Sequence, residues 1–251
     1  MEDGKIVFQM ILAERVIRVS AIYPETVTFV KDYLTEDERE AEIAVCISEA
    51  DIDFEQMHSD REAEVEGHPK RVWPRPYLET LAVYRKIVEK MPFYETFLFH
   101  GSVIAVDGEA YLFTAKSGTG KSTHTRLWRE MFGDRCVMIN DDKPLLKVTD
   151  EGVRAYGTPW NGKHHLGTNA SAPLRAVCIL ERDVDNHIAR VDAGEVFPLL
   201  MQQTYRPAEG DALMQTLDLL DHLCKKVPIY RLGCNMEPEA AKVSYEGMQE
   251  P

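Results

Sequence analysis

Residues 97–123 read FLFHGSVIAVDGEAYLFTAKSGTGKST. Two apolar runs flank Asp107-Gly108, a dipeptide suited to a two-residue hairpin turn, so the stretch predicts a pair of strands. The second strand, Tyr111 to Thr114, runs directly into Ser117-Gly118-Thr119-Gly120-Lys121-Ser122. A loop holds several negative phosphate charges only if many backbone N–H groups point inward, and Gly118 and Gly120 permit that curl. Lys121 would then reach the β- and γ-phosphates and Ser122 would offer its hydroxyl to Mg²⁺, while the helix starting there adds its positive N-terminal dipole. Ser117 to Thr123 therefore form a candidate nucleotide cradle. The first position of the usual G-x-x-x-x-G-K-[ST] spacing is Ala115 here, a departure of one methyl group.

Downstream of the loop, Lys121 to Phe132 reads as a helix and Cys136 to Ile139 as a buried strand that ends at Asn140-Asp141-Asp142. Strand, glycine-rich loop, helix, strand and acidic pair is the order in which carboxylates come to bind metal and supply a base near a γ-phosphate. Residues 157–169, GTPWNGKHHLGTN, form a candidate substrate loop. There Lys163 would neutralise charge on a phosphoryl group in transfer and Trp160 would pack on a substrate. The adjacent His164 and His165, pointing to opposite faces if the segment is extended, are not expected to share a metal. Beyond lie a strand at Ala176–Leu180, a helical face of Leu213, Leu217, Leu220 and Cys224, a strand from Val227 to Leu232, and a terminal helix opened by Pro238.

Upstream, Ile6, Phe8, Met10 and Leu12 alternate, and β-branched runs recur at Val16–Val19 and Ile43–Ile47, so residues 5–50 read as strands. The polar stretch HSDREAEVEGHPK and the prolines Pro74 and Pro76 break that pattern. A boundary near residue 72 is expected, with a small strand-rich α+β domain over 1–72 and a P-loop catalytic domain over 73–251. The second opens on a helix carrying Leu78, Leu81, Tyr84 and Val88, which stops before Pro92.

The 251 residues suffice for two units at most, and 44% hydrophobic with 28% charged residues makes wholesale disorder an unsuitable reading. A net charge of −13 without a basic cluster disfavours nucleic acid as partner. Five widely spaced cysteines with no C-x-x-C pair suit a reducing cytoplasm. The N-terminus lacks a signal-peptide pattern, and no apolar run reaches the ~18 residues of a membrane span, so a cytoplasmic location without membrane contact is expected.

His100-Gly101-Ser102, Asp107-Gly108, Ala115 to Thr123 and Asp141-Asp142, taken together, resemble the superfamily of HPr kinase/phosphorylase and phosphoenolpyruvate carboxykinase. The similarity is specific over about residues 97–145 and weaker to 180. It implies an α/β core, a mixed sheet with flanking helices around the P-loop, behind a small N-terminal domain. It further implies that Asp141 is the base taking a proton from an acceptor hydroxyl and that Asp142 and Ser122, together with Asp141, hold Mg²⁺. His100 would lie beside the transferring phosphoryl group or a second metal. The activity implied is kinase chemistry, in which Mg²⁺ or Mn²⁺ assists transfer of the γ-phosphate of ATP to a hydroxyl of a small molecule, peptide or protein. Small members of the family act on peptide serine, and the N-terminal unit would then add an acceptor peptide to a sheet edge. A nucleotide sensor or plain ATPase is the alternative class. The acceptor, the donor's identity among ATP, GTP and pyrophosphate, and the oligomeric state, a homo-oligomer included, stay open.

Overall fold

The computed structural model describes residues 4–37, 39–116, 118–162 and 164–249. It divides into two compact units, Met1–Lys90 and Met91–Pro251. In the first unit, β1 (Ile6–Leu12) and β2 (Arg15–Ala21) form an antiparallel hairpin, and β2 pairs in parallel with β3 (Ile43–Cys46). The short helix α1 (Pro24–Phe29) follows β2, and α2 (Glu49–Glu66) and α3 (Arg75–Val88) follow β3. The three strands are those expected from the alternation of apolar residues.

Besides helix α1, which lies within the residues 5–50 read as strands, two features of this unit differ from the sequence reading. Residues 49–66, read partly as a polar connector, are an 18-residue helix. Most of its residues face solvent, so no apolar stripe announces it. Its ends do carry signals: Ser48 and Asp51 cap each other's backbone N–H groups, and Gly67 closes the helix at φ +71°. The second difference is the boundary, since α3 belongs with the first unit and the division falls after Lys90 rather than near residue 72. Both outer edges of the three-stranded sheet are partly engaged. Lys86 and Lys90 donate to the Cys46 and Ala44 carbonyls of β3 at 2.9 and 2.7 Å, and Thr35 N–H donates to Gln9 of β1 at 3.1 Å.

The second unit contains β4 (Thr96–Leu98), β5 (Ser102–Val106), β6 (Glu109–Thr114), α4 (Lys121–Phe132), β7 (Cys136–Asn140), β8 (Leu145–Thr149), β9 (Gly152–Tyr156) and β10 (Ser171–Arg182). It continues with β11 (His187–Arg190), α5 (Ala193–Gln203), α6 (Gly210–Lys226), β12 (Ile229–Cys234) and α7 (Glu239–Gly247). One mixed sheet runs in the order β4-β8-β9-β10-β6-β5-β7, with β12 added alongside β10 and β11 alongside β12. The Asp107-Gly108 turn, at φ +51° and +87°, joins β5 to β6 as expected. The hairpin β8–β9 and the helix α5 are additions that the sequence reading does not contain. Strand β7 is the sheet's edge, and its Val137 is exposed, so it is less buried than its apolar run suggests.

Alternation along β5 and β6 sorts their side chains onto two faces. Ile104, Val106, Tyr111 and Phe113 pack with Leu127, Trp128 and Phe132 of α4 and with α7. Val103, Ala105, Ala110 and Leu112 pack instead with α5, α6 and the β8–β9 hairpin. No helix among the described residues is long and apolar enough to cross a membrane.

Candidate active site

Strand directions decide what converges. β5 is antiparallel to both β6 and β7, so β6 and β7 run parallel and end at the same side of the sheet, where β5 begins. The glycine-rich loop after β6, the acidic pair after β7 and His100 just before β5 are thereby brought together. β10 and β12 run parallel to β6 and finish at that side too.

The loop curls through Gly118 at φ +75° and Gly120 at φ +127°, a region L side chains rarely enter. Arg182, at the end of β10, donates to the Gly118 and Thr119 carbonyls. Because a trans peptide points its carbonyl and the following N–H opposite ways, this turns the amides of Thr119 and Gly120 away from Arg182. Thr119 N–H donates to the Lys116 carbonyl at 3.2 Å, and Lys121 Nζ donates to the Ala115 carbonyl at 3.2 Å. Burial lowers the pKa of the Lys121 ammonium, and the charge of Asp142 opposes that shift. Ser122 and Thr123 lie in the first turn of α4, Ser122 exposed and Thr123 half-buried. Ser117 lies outside the described residues.

Asp142 is the centre of charge. His100 Nε2 stands 3.2 Å from Asp142 Oδ1, and His100 Nδ1 stands 3.0 Å from Gln203 Oε1. Gln203 also accepts the His100 backbone N–H at 2.7 Å, so the end of α5 clamps the histidine. Burial works against ionisation of Asp142, but the hydrogen bond from His100 and the charges of Lys143, His100 and Lys121 outweigh it and hold the carboxyl below its usual range.

Asp141 is buried, at 8% exposure, and its carboxylate accepts the Gly162 N–H of the candidate substrate loop. The turn carrying both aspartates is built by Asn140, itself fully buried. Its side-chain oxygen accepts from Asp142 N at 2.9 Å and Lys143 N at 2.6 Å, and its amide donates to Thr158 Oγ1 at 3.0 Å and the Trp160 carbonyl at 3.4 Å. Loop 157–169 is thus tied directly to the acidic pair. Trp160 is only 3% exposed, packed within the protein rather than presented to a ligand. Lys163 lies outside the described residues. His165, at φ +49°, is not in a strand, so the opposite-face reasoning for His164-His165 does not describe it.

Among the described residues no three His, Cys, Asp or Glu side chains form a ready-made metal cluster. The oxygens of Asp142 and Ser122 are nonetheless the hard donors that Mg²⁺ takes, and Mg²⁺ commonly draws only one or two ligands from protein. Sequence reasoning missed Arg182 and Gln203, which have no motif to announce them. Asn140 and Gly162 were in view beside the flagged residues, and only their contacts reveal their roles.

No family model matches this chain, and no curated protein matches it in sequence. Among solved structures it is similar to the Hpr(Ser) kinase/phosphatase from Coxiella burnetii, at 9% identity and a TM-score of 0.34, over 61% of this chain and 99% of that one.

Proposed function

We propose that this protein is a Mg²⁺-dependent kinase that moves the γ-phosphate of ATP to a hydroxyl-bearing small molecule, peptide or protein. The observation carrying the reading is the meeting, at one end of the sheet, of a positive-φ glycine loop, Lys121 and the Asp142–His100 pair. The backbone amide of Gly120 and the α4 N-terminus bind phosphate oxygens, and Lys121 leaves the Ala115 carbonyl to neutralise the β- and γ-phosphates. Asp142 and Ser122 would hold Mg²⁺, which when bound shields phosphate charge. Asp141 receives the acceptor's proton as the acceptor oxygen bonds to the γ-phosphorus and the bond to the β,γ-bridging oxygen breaks, releasing ADP. His100 lies beside the group in transfer, and the buried carboxylate of Asp141 is positioned by Gly162. In this reading Lys163 neutralises charge on the phosphoryl group in transfer, and Trp160 shapes the substrate loop from within.

Lys121→Ala is expected to abolish Mg²⁺-dependent nucleotide binding, measured by calorimetry. Asp141→Asn should retain binding and lose phosphoryl transfer from labelled ATP by roughly 10²-fold or more. Wild-type transfer by Asp141→Asn removes that residue as base. Binding without transfer to any acceptor in a metabolite and peptide panel would make the protein a nucleotide sensor instead.

A further inference from the structure

No basic cluster is visible along the sequence, but the fold gathers one. At the end of the sheet away from the glycine-rich loop, where the parallel strands β6, β10 and β12 begin, a cavity of about 350 Å³ is lined by Arg175, Arg190 and Lys226, with Glu109 as its one carboxylate. A second cavity of about 530 Å³ carries Arg190, Lys225 and Lys226 against Asp192 alone. Arg190, Lys226 and Pro228 line both, so the two are continuous as one groove, with three cations to one acid in each lobe.

Most of this positive charge has no counter-charge within the protein. Arg175 and Arg190 form no ion pair among the described residues. Lys226 is exposed, and its ammonium donates to the Asp150 carbonyl at 3.0 Å rather than to a carboxylate. Lys225 is paired with Asp221, and the Asp192 carboxylate accepts the Gly194 N–H at the start of α5, at 2.8 Å. Cations gathered in one groove repel one another, and an anion lying among them relieves that repulsion. The net charge of −13 opposes an acidic ligand at long range. At physiological ionic strength, charges farther off than about 8 Å are largely screened, so the groove's own cations decide.

The form of the groove selects the ligand. Arg175 lines only the first lobe and Lys225 only the second, so the positive charge is spread along the groove and matches acid groups repeated along a chain. Guanidinium forks take carboxylates by paired hydrogen bonds. Leu174, Val191 and Pro228 add apolar wall for the methylene groups of such side chains. A nucleic acid would find no stacking platform, because Tyr230, the aromatic side chain of the lining, is only 4% exposed.

We infer that this groove docks an acidic, glutamate- or aspartate-rich segment of a polypeptide partner. Along β10, Pro173 at the groove and Arg182 at the glycine-rich loop stand about 30 Å apart, so docking here is separate from any chemistry at the other end of the sheet. Fluorescein-labelled octaglutamate and octaglutamine are each titrated with the full-length chain in low-salt buffer and followed by fluorescence anisotropy. Octaglutamate is expected to bind and octaglutamine to remain free. Arg190→Gln combined with Lys226→Gln, both at exposed positions, should weaken octaglutamate roughly fivefold or more. Lys31→Gln combined with Arg39→Gln, an equal loss of charge at exposed positions of the first unit, should leave it unchanged. Equal affinity for the two peptides, or equal weakening by the two double variants, overturns the inference. Tighter binding of an oligothymidylate of the same length overturns it in favour of nucleic acid. Displacement of octaglutamate by citrate at equal carboxylate concentration overturns it in favour of a small polyacid.

Discussion

His124 shows how one side chain couples burial to pH. Desolvation alone lowers its pKa from 6.5 to about 4, so the folded protein keeps it neutral while the unfolded chain takes up a proton. The unfolded state therefore binds more protons between those values, and stability is full above about pH 6.5 and lost as pH falls toward 4. The loss is on the order of 3 kcal/mol at most. Urea midpoints across pH 4–7 should fall less steeply for His124→Gln than for wild type, and identical slopes would show that this ring does not titrate as described. Asp142 has a depressed pKa, so its contribution is present above the unfolded value near 3.8 and lost only in stronger acid.

At the scale of the element, the loop's shape is a matter of backbone torsion. A Cβ placed on Gly120 would meet nothing within 4 Å, so the cost of Gly120→Ala is the strain of φ +127° and not a clash. That strain should lower stability by about 1–3 kcal/mol and weaken Mg²⁺-ATP binding, both measurable on one variant. In the first unit, helix α1 begins over the fully buried Glu79, which accepts from Tyr23 N at 2.9 Å and also from Ile22 N and Thr26 Oγ1. Glu79→Ala leaves those buried donors without a partner and is expected to cost about 3 kcal/mol in chemical denaturation, with Glu79→Gln losing less. These elements differ in legibility. The hairpin, the loop and α4 were readable because turn residues and apolar periodicity lie within a few positions of one another. Helix α2 hid because it buries little, and α5 because Pro198 interrupts it.

For the molecule as a whole, both core clusters of the second unit are made from residues beyond Met91, on the two faces of its own sheet. A fragment starting at Met91 should therefore unfold in a single cooperative transition, followed by circular dichroism. A broad, non-cooperative melt would show that this unit depends on residues 1–90. A fragment starting at residue 73 would carry α3 away from the strands of its own unit, and is expected to express less stably than the shorter one.

By itself the sequence determined the glycine-rich loop, its flanking strand and helix, and the aspartates that follow, since torsional preference and turn chemistry act between neighbours along the chain. Only the tertiary structure decided that His100 meets Asp142, that Gln203, 103 residues away, holds its ring, and that Arg182 braces the loop beside a cavity. Those contacts depend on strand order and on which helix covers which face. Packing across the sheet selects them, and no local pattern records it.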